Sequence, residues 1–241
     1  MNGALYMLEI CLDAGRLAAF LQSQGINTTR NEDLGYDTHA WLRATFGDKA
    51  PKPYRVMFSS GRLRILGYAA TGHSTLIEHA QAYAEPLAAS VLGDSPQIFS
   101  KQLTLSLAPG KVLGFELLIC PVTRKEDRER DVYLRRLDSR KNGSPRLARE
   151  HVYVEWLETQ LQGAARLLDA RMVGFRLVQL LRRSHDSSAR KRKSSFLTRP
   201  DVLIRGRLAI SDTNRFQQTL VRGIGRHRSF GYGMLLLRPP S

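Results

Sequence analysis

Cysteine is scarce in this chain, and long hydrophobic runs are missing. The 241 residues include only Cys11 and Cys120, each inside an apolar stretch. Two isolated cysteines form neither a disulfide framework nor a zinc site, so we expect buried thiols in a reducing compartment. No run of 18 apolar residues occurs, so we expect no transmembrane helix. The start of the chain lacks a charged segment followed by an apolar one, and we therefore expect no signal peptide and a cytoplasmic protein.

Metal-binding and cofactor-binding patterns are also missing. His, Cys, Asp and Glu nowhere occur together at the spacing of a metal-ligand set. The sequence contains no P-loop, and its glycine-rich segment does not follow the dinucleotide-binding pattern. We therefore expect no metal and no small-molecule cofactor.

Acidic residues do not balance the basic ones, and the imbalance is confined to one half of the chain. Residues 1–120 contain 10 Lys and Arg against 10 Asp and Glu, whereas residues 121–241 contain 27 against 12 and so carry the whole net charge of +15. Of those 27 basic residues, 23 are arginine, whose planar fork binds phosphates and base edges. The second half is therefore predicted to bind a polyanion, although a merely solvated basic surface is the alternative.

A hydrophobic content of 42% is enough for a packed core, and the chain is long enough for two small domains. The first half has the pattern β-α-β-β-α-β, in which Ser60-Gly61 marks the turn of a hairpin. Its predicted strands are Leu5–Leu12, Tyr54–Ser59, Arg62–Ala69 and Gln97–Leu107. Its predicted helices are Arg16–Gln22 after an Asp13 cap, Asp33–Phe46, and Ser74–Val91 with a kink or end at Pro86.

The second half repeats this pattern less clearly. The predicted strands are Val112–Pro121, Arg171–Leu181, Asp201–Ile210 and Met234–Arg238, the predicted helices are Glu150–Gln162 and Asp212–Val221, and Thr123–Arg149 is ambiguous. The sequence therefore predicts an α+β protein of tandem ferredoxin-like (βαββαβ, RRM-like) domains. We expect a first domain over 1–108 and an arginine-rich second domain over 109–241.

A glycine-rich segment near the C-terminus is a candidate phosphate-binding loop. Glycines allow tight turns and close approach of backbone N–H groups to a phosphate, although a purely structural turn is the alternative. His227 stands between two arginines, which are expected to lower its pKa if the three side chains converge. The candidate RNA-binding residues of this loop are Gly223, Gly225, Arg226, His227, Arg228, Gly231 and Gly233.

Tyr36 and His39 are one helical turn apart and share a helix face with Leu42. Histidine exchanges protons near neutral pH, so His39 is a candidate general acid or base. A histidine that merely packs in a helix is the alternative.

Two segments resemble one protein family. The sequence GIGRHRSFGYG over Gly223–Gly233, between a helix and a leucine run, resembles the glycine-rich signature of the RAMP superfamily of CRISPR RNA-binding proteins. The pattern Tyr36-x-x-His39-x-x-Leu42 resembles the catalytic segment of its CasE-type repeat-RNA endoribonucleases. The order of elements agrees over nearly the whole chain.

This resemblance implies metal-independent cleavage of precursor CRISPR RNA at the 3′ base of the repeat hairpin. The 2′-OH attacks the adjacent phosphate and leaves a 2′,3′-cyclic phosphate and a 5′-OH. His39 is then the general acid or base, and Tyr36 positions the ribose or shares the proton transfer. The implied partners are the repeat hairpin RNA, which stays bound as mature guide RNA, and the other subunits of an RNA-guided surveillance complex.

A second basic segment, Arg182–Arg199, lies between two predicted strands. Its context predicts a β-hairpin whose tip reaches an RNA duplex, recognised by shape and backbone; a mobile, solvated loop is the alternative. The candidate RNA-binding residues are Arg182, Arg183, Arg190, Lys191, Arg192 and Lys193.

Three other functions compete with this interpretation. The chain could be a catalytically inactive RAMP subunit that only binds guide RNA, but such a protein has no need for Tyr36 and His39. It could also be the processing nuclease of a less common CRISPR type, a possibility raised by the dense charge of Arg124–Arg149. A general nucleic-acid-binding protein, such as a ribosomal one, fits the length and the glycine-rich loop less well.

Overall fold

The structure is a computed structural model that describes residues 4–26, 34–59, 62–103, 107–126, 128–140, 145–184 and 193–240, with the backbone alone at 59, 180–184 and 193–196. The chain forms two compact units. The first consists of Met1–Thr104, Val178–Thr198 and Ser229–Gly231, and the second of Leu105–Leu177, Arg199–Arg228 and Tyr232–Ser241. Within the described ranges, we find no helix that is both long and apolar enough to cross a membrane.

The first unit contains a four-stranded sheet in the order β2-β3-β1-β4. Strand β1 pairs antiparallel with both β3 and β4, and β2 pairs antiparallel with β3. This is the strand order of a ferredoxin-like βαββαβ unit. Its elements are β1 (Tyr6–Leu12), α1 (Ala14–Ser23), α2 (Gly35–Phe46), β2 (Tyr54–Ser59), β3 (Arg62–Ala69), α3 (His73–Tyr83), α4 (Pro86–Ser90) and β4 (Ile98–Gln102).

Local sequence explains the ends of these elements. Strand β1 turns Leu8, Ile10 and Leu12 into the core because alternate residues face one side of a sheet. The Asp13 carboxylate accepts a hydrogen bond from the Arg16 N–H at 2.9 Å and caps α1, as predicted. The predicted helix over Ser74–Val91 is two helices, and the second begins at Pro86, where a missing N–H costs nothing.

Helix α2 is fixed by the core of the first unit. Trp41, Leu42 and Phe46 are almost fully buried among side chains from the sheet and the other helices. The Trp41 indole N–H donates to the Ala88 carbonyl at 2.9 Å. Because these side chains anchor α2 in the core, they fix the position of the helix and, with it, the positions of Tyr36 and His39.

The second sheet of the chain has the order β10-β5-β9-β8, which is again the ferredoxin-like order. The second unit contains this sheet except for 178–184 of β8 and 193–198 of β9, which belong to the first unit. The elements of this part of the chain are β5 (Val112–Ile119), β6 (Val122–Lys125), β7 (Arg128–Asp131), α5 (Val132–Asp138), α6 (Arg149–Leu161), β8 (Ala165–Ser184), β9 (Lys193–Ile210), α7 (Thr213–Arg222) and β10 (Leu235–Arg238). The predicted α+β class with tandem ferredoxin-like folds is confirmed.

The ambiguous segment Thr123–Arg149 is structured over its described residues. Strands β6 and β7 pair as a hairpin, and α5 follows directly. The Asp131 carboxylate caps α5 by accepting a hydrogen bond from the Tyr133 N–H at 2.8 Å. Interleaved charges obscured this hairpin in the sequence, because neither strand has an apolar side to reveal its period.

Both ends of the basic segment Arg182–Arg199 belong to strands that are longer than predicted. Strand β8 continues to Ser184 and β9 begins at Lys193, whereas the sequence predicted ends at Leu181 and Asp201. Pairing of two strands uses the backbone and needs no apolar face, so a strand can continue where the sequence shows no alternating hydrophobic pattern. Arg190, Lys191 and Arg192 lie outside the described residues.

Candidate active site

Tyr36 and His39 lie on one side of α2, as predicted from their spacing. Both are partly buried, whereas Asp37 and Thr38 between them are fully buried. The Thr38 hydroxyl donates to the Leu34 carbonyl at 2.7 Å and so secures the start of the helix. Tyr36 and His39 therefore lie one helical turn apart at the start of α2.

Phe230 from the glycine-rich segment is the third member of this site. Its ring is stacked on Tyr36 with a centroid distance of 6.3 Å and meets His39 edge-on at 5.5 Å. Both distances lie in the range of favourable aromatic pairs. Phe230 belongs to the first unit, at the end of a 3-10 turn over Arg228–Phe230. Sequence reasoning missed it, although an aromatic residue between glycines was a usable signal.

The surroundings of His39 favour its neutral form. Burial lowers the pKa of His39 below its usual value of 6.5, and the positive charges of Arg43 and Lys52 lower it further. A neutral imidazole has one nitrogen that can accept a proton. At neutral pH the ring is therefore ready to act as a base.

Tyr54 is a second residue that sequence reasoning missed. It is 1% exposed, and its hydroxyl lies 2.7 Å from the Ser229 carbonyl oxygen and 3.1 Å from the Gly35 carbonyl oxygen. It thus joins the residue before Phe230 to the first residue of α2. No local pattern predicts this contact, because 175 residues separate Tyr54 from Ser229.

The glycines of the glycine-rich segment shape its backbone. Gly223, Gly225, Gly231 and Gly233 all have positive φ. A Cβ on Gly233 would lie 2.3 Å from the Ile224 carbonyl oxygen, so only glycine fits there. The N–H of Gly233 donates to the Leu118 carbonyl and that of Gly223 to the Thr219 carbonyl. These two N–H groups therefore hold the loop, and the RNA contacts of the glycines stay a prediction.

The basic residues of this segment surround one carboxylate in the second unit. Glu129 on β7 accepts hydrogen bonds from Arg226 Nε at 2.6 Å and faces His227 Nε2 at 2.9 Å, while Arg199 Nη2 lies 3.6 Å away. The Glu129 side chain is only 15% exposed. His227 has a φ of 58°, which non-glycine residues seldom adopt, so the carboxylate holds a strained turn.

The predicted direction of the His227 pKa agrees with the structure, but its main cause differs. Burial lowers the pKa of His227 most, Glu129 opposes this, and Arg199 and Arg226 add to the lowering. Burial would raise the pKa of Glu129, but His227 and Arg226 outweigh it and the net shift is downward. Because His227 is neutral at pH 7 and an ionised carboxylate only accepts, the Nε2–H tautomer donates to Glu129.

We expect Glu129→Gln to destabilise the protein by about 1–3 kcal/mol at pH 7, because Arg226 and Arg199 lose a buried counter-charge. A carboxyl whose pKa is lowered on folding contributes stability that is lost as pH falls through its folded pKa. The difference in the free energy of unfolding between the variant and wild type should therefore persist from pH 7 to about 6. It should shrink as the pH falls below 4.5, the usual pKa of a glutamate. Urea unfolding at a series of pH values measures it.

Glu126→Gln is the matched control, because Glu126 lies on the same hairpin with its side chain 85% exposed. That variant should stay within about 0.5 kcal/mol of wild type. An equal loss in both variants would show that Glu129 does not hold the loop.

The predicted basic residues within the described ranges fall into three groups, and Arg190, Lys191 and Arg192 lie outside those ranges. Arg226 and His227 pair with Glu129, and the Arg228 guanidinium donates to the Arg222 carbonyl at 2.6 Å. Arg182, Arg183 and Lys193 lie on the outer parts of β8 and β9. Among the residues with described side chains, no group of three His, Cys, Asp or Glu is arranged to hold a metal ion.

Comparison with known proteins places the chain in a family and identifies solved structures with a similar fold. A family model described as CRISPR associated protein matches residues 5–239. The fold resembles a CRISPR endoribonuclease Cse3 bound to a 19-nucleotide RNA, with a TM-score of 0.66 and 22% identity over 98% of this chain and 100% of that one. It also resembles Cas6e from Escherichia coli K-12, with a TM-score of 0.53 and 21% identity over 98% and 100% of the two chains.

A third similar chain belongs to a CRISPR RNA-guided surveillance complex, with a TM-score of 0.52 and 17% identity over 98% and 100% of the two chains. A search of curated proteins found no match. Fold and family match together define a class of CRISPR-associated proteins with tandem ferredoxin-like folds. The chain belongs to the CRISPR-associated protein family, and its expected resemblance to the CasE-type proteins is confirmed at the level of family and fold.

Proposed function

We propose that this protein is an endoribonuclease that cleaves precursor CRISPR RNA at the 3′ base of the repeat hairpin. The observation that carries the proposal is the cluster of Tyr36, His39 and Phe230, in which a histidine with a lowered pKa stands beside a tyrosine and the glycine-rich segment. The family match and the Cse3-like fold support the RNA substrate.

The proposed reaction is an internal transfer that needs no metal. The ribose 2′-OH attacks the adjacent phosphorus and loses its proton, the bond to the 5′ oxygen breaks, and that oxygen gains a proton. The products are a 2′,3′-cyclic phosphate and a 5′-OH. His39, neutral at pH 7, is suited to accept the 2′-OH proton. Tyr36, one turn away, positions the ribose or takes part in the second proton transfer.

We further propose that the protein keeps its product as a subunit of a surveillance complex. A stem held by arginine contacts is not altered when the phosphate at its 3′ base is cut. The similar chain from an RNA-guided surveillance complex supports this assignment.

Repeat hairpin RNA incubated with the protein in EDTA tests both parts. We expect one cut at the 3′ base, a cyclic-phosphate end, and a burst of about one product per protein followed by slow turnover. Titration with pre-cut hairpin should abolish the burst.

Three results would count against the proposal. Cleavage that EDTA prevents would show a need for metal. Tight binding without any cut would identify a guide-RNA-binding subunit without nuclease activity. Rapid multiple turnover would indicate a free ribonuclease that recycles.

A further inference from the structure

The Tyr54 hydroxyl contacts both segments of the candidate site: the start of α2, which carries Tyr36 and His39, and the segment Ser229–Gly231, which carries Phe230. It lies 2.7 Å from the Ser229 carbonyl oxygen, 3.1 Å from the Gly35 carbonyl oxygen and 3.3 Å from Thr38 Oγ1. A phenol carries one proton, and the shortest contact identifies Ser229 as its main acceptor. Ser229 precedes Phe230, while Gly35 and Thr38 flank Tyr36 in the chain.

The β2–β3 ladder fixes Tyr54 itself. Tyr54 lies opposite Gly67, and the Tyr68 N–H donates to the Pro53 carbonyl at 3.0 Å. A Cβ on Gly67 would lie 2.6 Å from Pro51 Cβ and 3.3 Å from Tyr54 Cβ, so a glycine is needed for this close approach. The ring of Tyr54 therefore has little freedom, and its hydroxyl is a fixed donor.

We infer that Tyr54 is a positioning residue, whose hydroxyl holds Ser229–Gly231 against the first turn of α2 so that the Phe230 ring stays on Tyr36 and His39. The link to cleavage rests on the proposed function. Reaction rates are sensitive to displacements of about 1 Å in a catalytic group, so losing one hydrogen bond at this point affects the chemistry more than the fold.

Two properties of the contact separate positioning from simple core packing. Ser229 is partly exposed, so water can satisfy its carbonyl when the hydroxyl is removed, and the fold survives. The Tyr54 ring, by contrast, is buried and remains in Tyr54→Phe. That variant therefore removes the link and leaves the packing.

The first test is NMR of the free protein and needs no RNA. The edge-on Phe230 ring shifts the resonances of the His39 imidazole, so these report where Phe230 lies. In Tyr54→Phe the His39 ring signals should move toward those of Phe230→Ala. In Tyr83→Phe, which removes the hydroxyl of a 77% exposed tyrosine beside His79, they should not move. Unchanged His39 signals in Tyr54→Phe would overturn the inference.

The second test is single-turnover cleavage with hairpin RNA. Tyr54→Phe should lower the rate constant on the order of tenfold and change Kd by less than about twofold, while Tyr83→Phe changes neither. A rate within about twofold of wild type overturns the inference, as does an equal loss in rate and affinity. If the wild-type protein does not cut, the proposed function fails and the NMR result alone decides the positioning role.

A second variant keeps the inference testable if Tyr54→Phe does not fold. Phe230→Leu removes the ring at the end of the same linkage and keeps an apolar side chain. It should show the same lower rate with unchanged affinity and the same shift of the His39 signals. Wild-type behaviour of Phe230→Leu would remove the reason for holding Ser229–Gly231 in place and would overturn the inference.

Discussion

His39→Ala should lower the single-turnover cleavage rate by about 100-fold to 10,000-fold and leave hairpin binding within about twofold of wild type. A positioned acid or base contributes a factor of this size to a reaction. Affinity should persist because the first half, which carries His39, has no net charge, whereas the second half carries +15. Single-turnover cleavage and filter binding measure the two quantities separately.

The control for this variant is His79→Ala, which removes a histidine of α3 that packs beside Tyr83 in the same unit. Its rate should equal that of wild type. Tyr36→Phe should give a smaller defect than His39→Ala, because its ring still packs on Phe230. Wild-type cleavage by His39→Ala would remove His39 from the mechanism.

The pH profile of the wild-type protein shows which way the proton moves. If His39 accepts the 2′-OH proton, the rate should fall toward acid with a midpoint below 6.5, because burial, Arg43 and Lys52 lower the pKa. If His39 donates a proton, the rate should instead fall as pH rises through that midpoint.

Replacing Arg190, Lys191, Arg192 and Lys193 together with glutamine should weaken hairpin binding and flatten its salt dependence. Each phosphate contact contributes about 0.7–0.9 to the slope of log K against log salt, so four contacts change the slope by about 3. The cleavage rate at saturating protein should be unchanged if these residues only anchor the stem. Binding titrations over a range of salt concentrations give the slope.

A charge-matched variant separates a local contact from bulk attraction. The matched variant loses four positive charges from the first half, by glutamine substitutions at Arg16, Lys49, Arg62 and Lys101. That protein should keep a slope close to wild type. Equal slopes in both variants would show that the basic segment Arg182–Arg199 makes no phosphate contacts of its own.

Local sequence was sufficient to predict much of the fold. The alternating residues of β1, the Asp13 cap of α1 and the pairing of β2 with β3 lie where expected, because each depends on neighbours in the chain. The predicted turn residues Ser60 and Gly61 lie outside the described residues. The hairpin of β6 and β7 was missed because its strands carry charges on both sides. The outer parts of β8 and β9 were missed because their sequences show no alternating hydrophobic pattern.

The candidate site was only partly accessible to sequence reasoning. The one-turn spacing of Tyr36 and His39 was sufficient to place both on one side of a helix. An aromatic residue between glycines singles out Phe230, but the sequence does not place Phe230 or Tyr54 beside Tyr36 and His39, because these contacts join segments that are far apart in the chain. No periodicity connects such segments.

The sequence by itself determined where the positive charge lies, which residue types carry it, and which two segments resemble the family's motifs. Only the tertiary structure decided which arginines are already paired. Glu116, buried in β5, takes both Arg205 at 2.6 Å and Arg238 at 2.8 Å, and Glu129 takes Arg226 and lies near Arg199. The physical reason is that a net charge is a sum over the chain, whereas an ion pair depends on distances of a few ångströms between strands that are remote in sequence.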